Sequence, residues 1–340
     1  MTAVEPLLEV RDLSVEFPLP AGTIMPVRGV SFTLAPRERI GIVGESGSGK
    51  SLTSLALMRL LPPPGRIATG EVLLAGRELT TLGEREMSRV RGGKMALVYQ
   101  DPMSSLNPVR TVGNQIVEAI RAHRDVSRAS ARTRAIELLG EVGIPHASRR
   151  IDAYPHQFSG GMRQRVMIAM AISMEPEVLI ADEPTTALDV TTQARIIDLL
   201  ARLGEERQLA VILITHDLGV AASFCDGVHV MYAGRIVERS PVVPLFARPV
   251  HPYTEALLGA ICRIDEDVDQ PIPAIPGQPP LPQHLPSGCP FHPRCPQAVP
   301  LCADEEPNDH LLPGGRTAES HFAEARAETP GGVSVAESHR

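Results

Sequence analysis

Lysine is almost missing from this 340-residue chain: Lys50 and Lys94 are the only two, and arginine carries every other basic charge. A lysine in such a chain marks a place where a compact point charge serves better than a planar fork. Basic charge of any kind is in deficit, 33 Lys and Arg against 40 Asp and Glu, for a net charge of −7. No long block of one sign breaks this balance, which argues against a nucleic-acid groove, because phosphate neutralisation needs a basic patch. Also missing is any stretch near the ~18 uninterrupted apolar residues of a membrane span. The first residues, MTAVEPLLEVRDL, have neither the basic n-region nor the apolar h-region of a secretory signal. The expectation is a soluble cytoplasmic chain, docked to a partner but not inserted, whose five cysteines form no disulfide framework. Its length suffices for a full α/β core and a second, smaller unit.

Against these absences one motif stands out. Gly44 to Ser51 reads GESGSGKS and satisfies every fixed position of the phosphate-loop pattern G-x-x-x-x-G-K-[ST]. The run before it, Arg39 to Val43, suits a buried strand, and Leu52 to Leu61 suits a helix. Gly44, Gly47 and Gly49 allow backbone N–H groups to turn inward around an anion, and a helix N-terminus adds partial positive charge. Lys50 is then placed to reach the β and γ phosphates and the Ser51 hydroxyl to ligate Mg²⁺. The motif in this context predicts binding of a nucleoside triphosphate.

The rest of the chain supplies a frame. Leu7 to Leu34 carries short alternating runs that predict an antiparallel β layer. Further strands are expected at Gly70–Leu74, Met95–Tyr99, Val178–Ala181 and Ala210–Ile214, with helical spacing from about Thr111 to Ile172 and again through TTQARIIDLLARL. Strands alternating with helices predict an α/β core on a mostly parallel sheet. Composition then shifts: of 32 prolines, 17 fall between Pro241 and Pro313, a density that excludes long helices and central strands. A helix is still expected in TEALLGAI after His251-Pro252-Tyr253, an extended linker over Pro271 to Pro286, and a disordered tail from about Ala323.

Two further motifs bear on chemistry. Val178 to Glu183 is an apolar run ending in two carboxylates, which a parallel sheet presents at its C-terminal edge beside a phosphate loop. Asp182 suits a Mg²⁺ site with Ser51, and Glu183 suits a general base or water-positioning group. Phe158-Ser159-Gly160-Gly161 precedes a helical run and, on its own, reads as a capped helix start with a flexible turn.

Together these motifs resemble the nucleotide-binding subunit of ATP-binding cassette (ABC) transporters, over roughly Leu7 to Ile261 and in the family's order. The resemblance implies a P-loop NTPase α/β fold with an N-terminal antiparallel β layer, a helical subdomain at about residues 101–174 and a Pro-rich C-terminal extension. It implies that Gly44, Glu45, Ser46, Gly47, Ser48, Gly49, Lys50, Ser51 and Leu52 bind ATP, with Ser51, Gln100 and Asp182 at Mg²⁺ and Glu183 and His216 catalytic. It further implies that Phe17 stacks on adenine and that the Gln100 loop faces the membrane partner. Ser159, Gly160 and Gly161 would bind the γ phosphate held by the opposite subunit, and Ala187-Leu188-Asp189 would cross the dimer interface. Taken singly, Phe17 also reads as a core aromatic, Gln100 as a polar loop residue and His216 as a satisfied strand-end histidine. Their order and joint presence carry the case.

Three phrases are similar to the peptide-and-nickel import branch: GIVGESGSGKS, the run from Tyr99 to Pro108, and His251-Pro252-Tyr253-Thr254. The resemblance implies an ATPase domain over residues 1–250, an oligopeptide-importer-type extension over 251–322 and a tail over 323–340. It implies two ATPases, usually non-identical, serving two membrane permeases and an extracytoplasmic binding protein at the cytoplasmic face of the membrane. The implied cargo is a peptide. Nickel or another small solute is the alternative, and an ABC ATPase that moves no solute a more distant one. Cys289, Cys295 and Cys302 are spaced C-x₅-C-x₆-C, wider than zinc modules use. They either form part of a [4Fe–4S] site, with His321 or Cys262 as a further ligand, or are three reduced cysteines in a turn-rich segment. Cys225 is expected in the core.

Overall fold

The computed structural model of the chain describes residues 5–101, 105–186, 188–260 and 274–328. Pro102, Met103, Ser104, Ala187, Cys262, Pro271 and residues 329–340, which figure in the expectations above, lie outside the described residues. In chain order the strands are β1 (Leu8–Leu19), β2 (Gly22–Leu34), β3 (Arg39–Val43), β4 (Arg66–Leu74), β5 (Arg77–Glu78), β6 (Met95–Val98), β7 (Val178–Asp182), β8 (Ala210–Thr215), β9 (Gly227–Tyr232), β10 (Arg235–Pro241), β11 (Asp309–Leu312) and β12 (Arg316–Glu319). They divide between two compact units. One comprises Met1–Leu8, Leu34–Arg39 and Leu73–Ile214, the other Glu9–Thr33, Ile40–Val72 and Thr215–Arg340.

In the first unit β6, β7 and β8 run parallel, with Val178 opposite both Met95 and Ala210. Every residue of β7 and β8 is buried, so both strands are continuous apolar runs, as a parallel sheet covered on two faces requires. The expected helical stretch resolves into Val112–His123, Arg128–Glu141, the single turn Ala147–Arg150 and Gly160–Ala171. Three of these starts are set by side-chain caps. Thr111, Ser127 and Ser159 accept the backbone N–H groups of Asn114, Ser130 and Met162, each cap worth about 1 kcal/mol. Val112, Ile116 and Ile120 recur at helical spacing and are buried, which fixes the inward face of the first helix.

In the second unit β1 and β2 are joined by two residues, a connection that only antiparallel neighbours accept, and β4 lies on the other side of β1. A second sheet runs β11-β12-β10-β9-β3, parallel between β9 and β3 and antiparallel from β9 outward. Gly41 of β3 packs on Cys225, whose Sγ lies 3.1 Å from where a Cβ would sit, and Cys225 is buried in the core. The Pro-rich extension enters this sheet through β11 and β12, short strands at the edge where prolines nearby remove no ladder bond. Helix Pro252–Gly259 is where TEALLGAI placed it. Ala323, assigned to a disordered tail, instead opens a helix over Ala323–Glu328. It is buried against Val250, Leu312 and Ala318, and Arg326 pairs with Glu255. Small polar composition does not reveal such tertiary burial.

Two histidines of this unit are buried and neutral. His229 lies 5.4 Å from the Phe32 ring, and His251 caps helix Pro252–Gly259 by accepting the Tyr253 backbone N–H at 3.0 Å on Nδ1. Burial pushes both imidazoles down to about 3, from an ordinary value of 6.5. Between those values the unfolded chain takes up protons that the folded chain refuses, so stability falls as pH falls through the window. Each histidine contributes a slope of about 1.4 kcal/mol per pH unit there. Urea midpoints are expected to drop from about pH 7 to about pH 5, less steeply in His229→Leu. An unchanged slope in that variant would remove His229 from the account.

Candidate functional site

The phosphate loop leaves the buried end of β3 through Gly44, at φ +153°. A Cβ there would lie 2.1 Å from the Met231 carbonyl oxygen, and one at Gly49 2.5 Å from the Pro26 carbonyl oxygen, so neither position admits a side chain. Gly49, at φ +106°, caps a helix that spans Lys50–Leu57. The helix starts two residues before the expected Leu52 and stops four before Leu61. Arg59 turns left-handed at φ +50°, and prolines follow at 62–64. Lys50 and Ser51 thus occupy the first helical turn, which carries no acidic side chain. Lys50 is 5% exposed, and its Nζ donates to the carbonyls of Gly44 at 2.8 Å and Glu45 at 2.9 Å. The ammonium therefore lies inside the loop's own concavity, with a helix N-terminus beside it, an arrangement suited to an anion. Ser51 and Leu52 are half-buried, Ser46 and Gly47 exposed, and Ser48 buried with its carbonyl accepting the Gly234 N–H at 2.9 Å. Phe17 is half-buried and lies over Gly65, where a Cβ would meet its ring at 2.5 Å. His216, also of this unit, is exposed just beyond the end of β8, and Asp217 caps the next helix through the Val220 N–H.

In the first unit the strand-end carboxylates are built differently from one another. Asp182 is the last residue of β7, 6% exposed and opposite Ile214. Glu183 still donates its N–H to the Ile214 carbonyl at 2.9 Å, then turns left-handed at φ +45°, a conformation costly for a residue with a side chain. That turn takes the Glu183 carboxylate off the strand line. One carboxylate oxygen accepts the Gln100 Nε2–H at 3.0 Å and the Thr186 hydroxyl at 2.7 Å. Gln100 and Glu183, predicted from motifs 83 residues apart, therefore meet at the C-terminal edge of β6 and β7. Thr186 escaped the sequence reading, although a hydroxyl three residues after a turn carboxylate is a local hydrogen-bond signal.

Ser159 and Gly160 are exposed at the start of helix Gly160–Ala171, where Ser159 accepts the Met162 N–H at 3.4 Å. Gly161 answers to a neighbour: a Cβ would approach Thr192 Cγ2 to 2.5 Å. Thr192 belongs to helix Val190–Arg207, whose cap is Asp189. The Ser-Gly-Gly segment is thus a capped helix start pressed against a second helix on one side and open to solvent on the other.

Among the described residues nothing supports an iron–sulfur cluster at the cysteines. Among the described residues no group of three or more His, Cys, Asp or Glu gathers where a metal ion could be held. Burial, with Cys302 and Cys295 nearby, pushes the Cys289 thiol up to about 11, and burial raises Cys295 as well. His321, expected as a fourth ligand, instead has Nε2 3.0 Å from the Glu305 carbonyl oxygen. Two residues of the extension were not singled out as site residues yet touch the phosphate loop: Tyr253, whose hydroxyl accepts the Glu45 N–H at 2.9 Å, and Arg294.

Residues 27–186 match the family described as ABC transporter, and residues 237–302 match the oligopeptide/dipeptide transporter C-terminal region. The chain is 50% identical over 308 residues to the oligopeptide transport ATP-binding protein OppD of Salmonella typhimurium, covering 91% of each chain. It is 46% identical over 316 residues to the dipeptide transport ATP-binding protein DppD of Escherichia coli, covering 93% of this chain and 96% of that one. Among solved structures it is similar to the dimeric post-hydrolysis ATP-binding cassette MJ0796 bound to ADP and Pi. There the TM-score is 0.63 at 27% identity, covering 69% of this chain and 98% of the other. The chain therefore belongs to the ABC transporter family, in the branch that carries the oligopeptide/dipeptide transporter C-terminal region.

Proposed function

We propose that the chain binds and hydrolyses Mg²⁺–ATP to drive peptide import, at the cytoplasmic face of a membrane that it does not enter. The observation that carries the ATP reading is Lys50, an almost fully buried ammonium held by the carbonyls of its own glycine loop. The peptide reading rests on the names of the relatives and on the matched extension. No helix among the described residues is long and apolar enough to cross a membrane, so permeases would have to supply the path. The net charge of −7 disfavours the alternative of an ABC ATPase working on nucleic acid.

In this reading the phosphates take over the hydrogen bonds that Lys50 now makes to Gly44 and Glu45, while the loop N–H groups and the helix N-terminus surround them. Ser51, Asp182 and Gln100 offer the oxygen donors for Mg²⁺, which when bound offsets charge on the β and γ oxygens. Glu183 orients and deprotonates the attacking water. Its turn conformation and its bonds from Gln100 and Thr186 fix the carboxylate before substrate arrives, which limits reorganisation during the reaction. His216 contacts the γ phosphate, and Phe17 stacks on adenine. The exposed start at Ser159, Gly160 and Gly161 serves a nucleotide held by a second ATPase subunit, and the Gln100 loop transmits the resulting motion to two permeases fed by an extracytoplasmic binding protein.

A single subunit then holds half of each site. ATPase turnover per subunit is expected to rise steeply with protein concentration, or on adding the partner ATPase and permeases. Robust hydrolysis by protein shown to remain monomeric in sedimentation would overturn this proposal.

A further inference from the structure

The C-terminal extension folds back onto the phosphate loop, and its grip is specific. Arg294, 249 residues from Glu45 in sequence, donates Nη1 and Nη2 to the two Glu45 carboxylate oxygens at 2.8 and 3.0 Å. The Arg294 side chain is 5% exposed and the Glu45 side chain 25%. A third bond runs from Arg294 Nε to the Pro276 carbonyl at 2.8 Å, and its guanidinium lies 5.8 Å from the Tyr232 ring centroid. The ring belongs to a buried aromatic cluster: Tyr232 and Tyr253 have centroids 4.5 Å apart, and Phe291 meets them edge-on at 5.3 and 5.4 Å. Tyr232 follows Met231, whose carbonyl abuts Gly44.

Glu45 is consequently held on all its polar groups. Its carboxylate is forked by Arg294, its N–H donates to the Tyr253 hydroxyl, and its carbonyl accepts Lys50. Two of the three anchors come from the extension. A two-pronged, mostly buried ion pair fixes orientation as well as distance, which a lysine ammonium cannot do. Removing Arg294 alone would also leave a carboxylate anion without its counter-charge on a loop built to receive polyphosphate.

We propose that Arg294 is a positioning residue for ATP, acting through Glu45, so that the extension sets the shape and charge of the phosphate loop and with them nucleotide affinity. The inference rests on the nucleotide reading of that loop. The test uses the full chain, a fluorescent ATP analogue titrated to equilibrium with Mg²⁺, and thermal melts alongside. Arg294→Ala is expected to weaken binding about tenfold, and Arg294→Lys, which keeps the charge without the fork, nearly as much. Adding Glu45→Gln to Arg294→Ala is expected to restore part of the affinity, because the uncompensated anion is gone. A purely structural role would move the melting temperature but give no such rescue. Binding within twofold of the parent for both Arg294 variants, or losses that simply add in the double variant, would overturn the proposal. Failure of the parent itself to bind the analogue would overturn the nucleotide reading, and this inference with it.

Discussion

Glu183→Gln keeps ATP bound and lowers turnover by at least ~10²-fold, the scale of a general-base contribution. The substitution is nearly isosteric. The amide oxygen can still accept from Thr186 and Gln100, which now donate to the carboxylate at 2.7 and 3.0 Å, so the ground-state loop is retained. What disappears is the basic oxygen that takes a proton from water. The effect therefore falls on the chemical step and leaves nucleotide affinity near that of the parent. Single-turnover hydrolysis in the assembled transporter, paired with a nucleotide titration, separates the two quantities. Turnover near that of the parent would strike Glu183 from the catalytic assignment.

Lys50→Ala acts at the opposite stage. Truncating one member of a buried, charge-assisted hydrogen-bond pair costs about 2–5 kcal/mol, so ATP affinity is expected to fall by at least ~30-fold. The ammonium now bridges the Gly44 and Glu45 carbonyls, and its loss removes both bonds as well as the positive charge the phosphates would meet. Arg at this position is no substitute. The space within the loop is bounded by Gly44 against Met231 and by Gly49 against Pro26, and a planar fork is larger than the compact ammonium. Equilibrium titration with a fluorescent ATP analogue provides the measurement, and affinity unchanged in Lys50→Ala would remove the phosphate anchor from this account.

The two results bear on features of differing legibility. GESGSGKS needs only local backbone freedom, one helix start and one cation, all encoded within a dozen residues, so the loop was readable before any fold was known. The apolar runs of β7 and β8 were readable for a related reason: strands buried on both faces admit little else. Glu183 was legible as a strand-end carboxylate, but its left-handed turn was not, because no glycine announces it. The tail helix from Ala323 was missed since its stabilising partners, Val250 and Leu312, are distant in sequence. The cysteine spacing suggested a cluster, yet among the described residues no such ligand group gathers, because spacing constrains reach without dictating convergence.

By itself, the sequence determined the nucleotide loop, the carboxylate strand, the capped Ser-Gly-Gly helix start and the family to which they point. These are matters of φ freedom, periodicity and capping, settled over one or two turns of chain. Only the tertiary structure decided that Gln100 meets Glu183, that β11 and β12 extend the sheet beyond β10, and that Arg294 grips Glu45 across 249 residues. Each of those depends on burial of apolar surface drawing remote segments together, and a pairwise contact of that kind leaves no periodic trace in either segment alone.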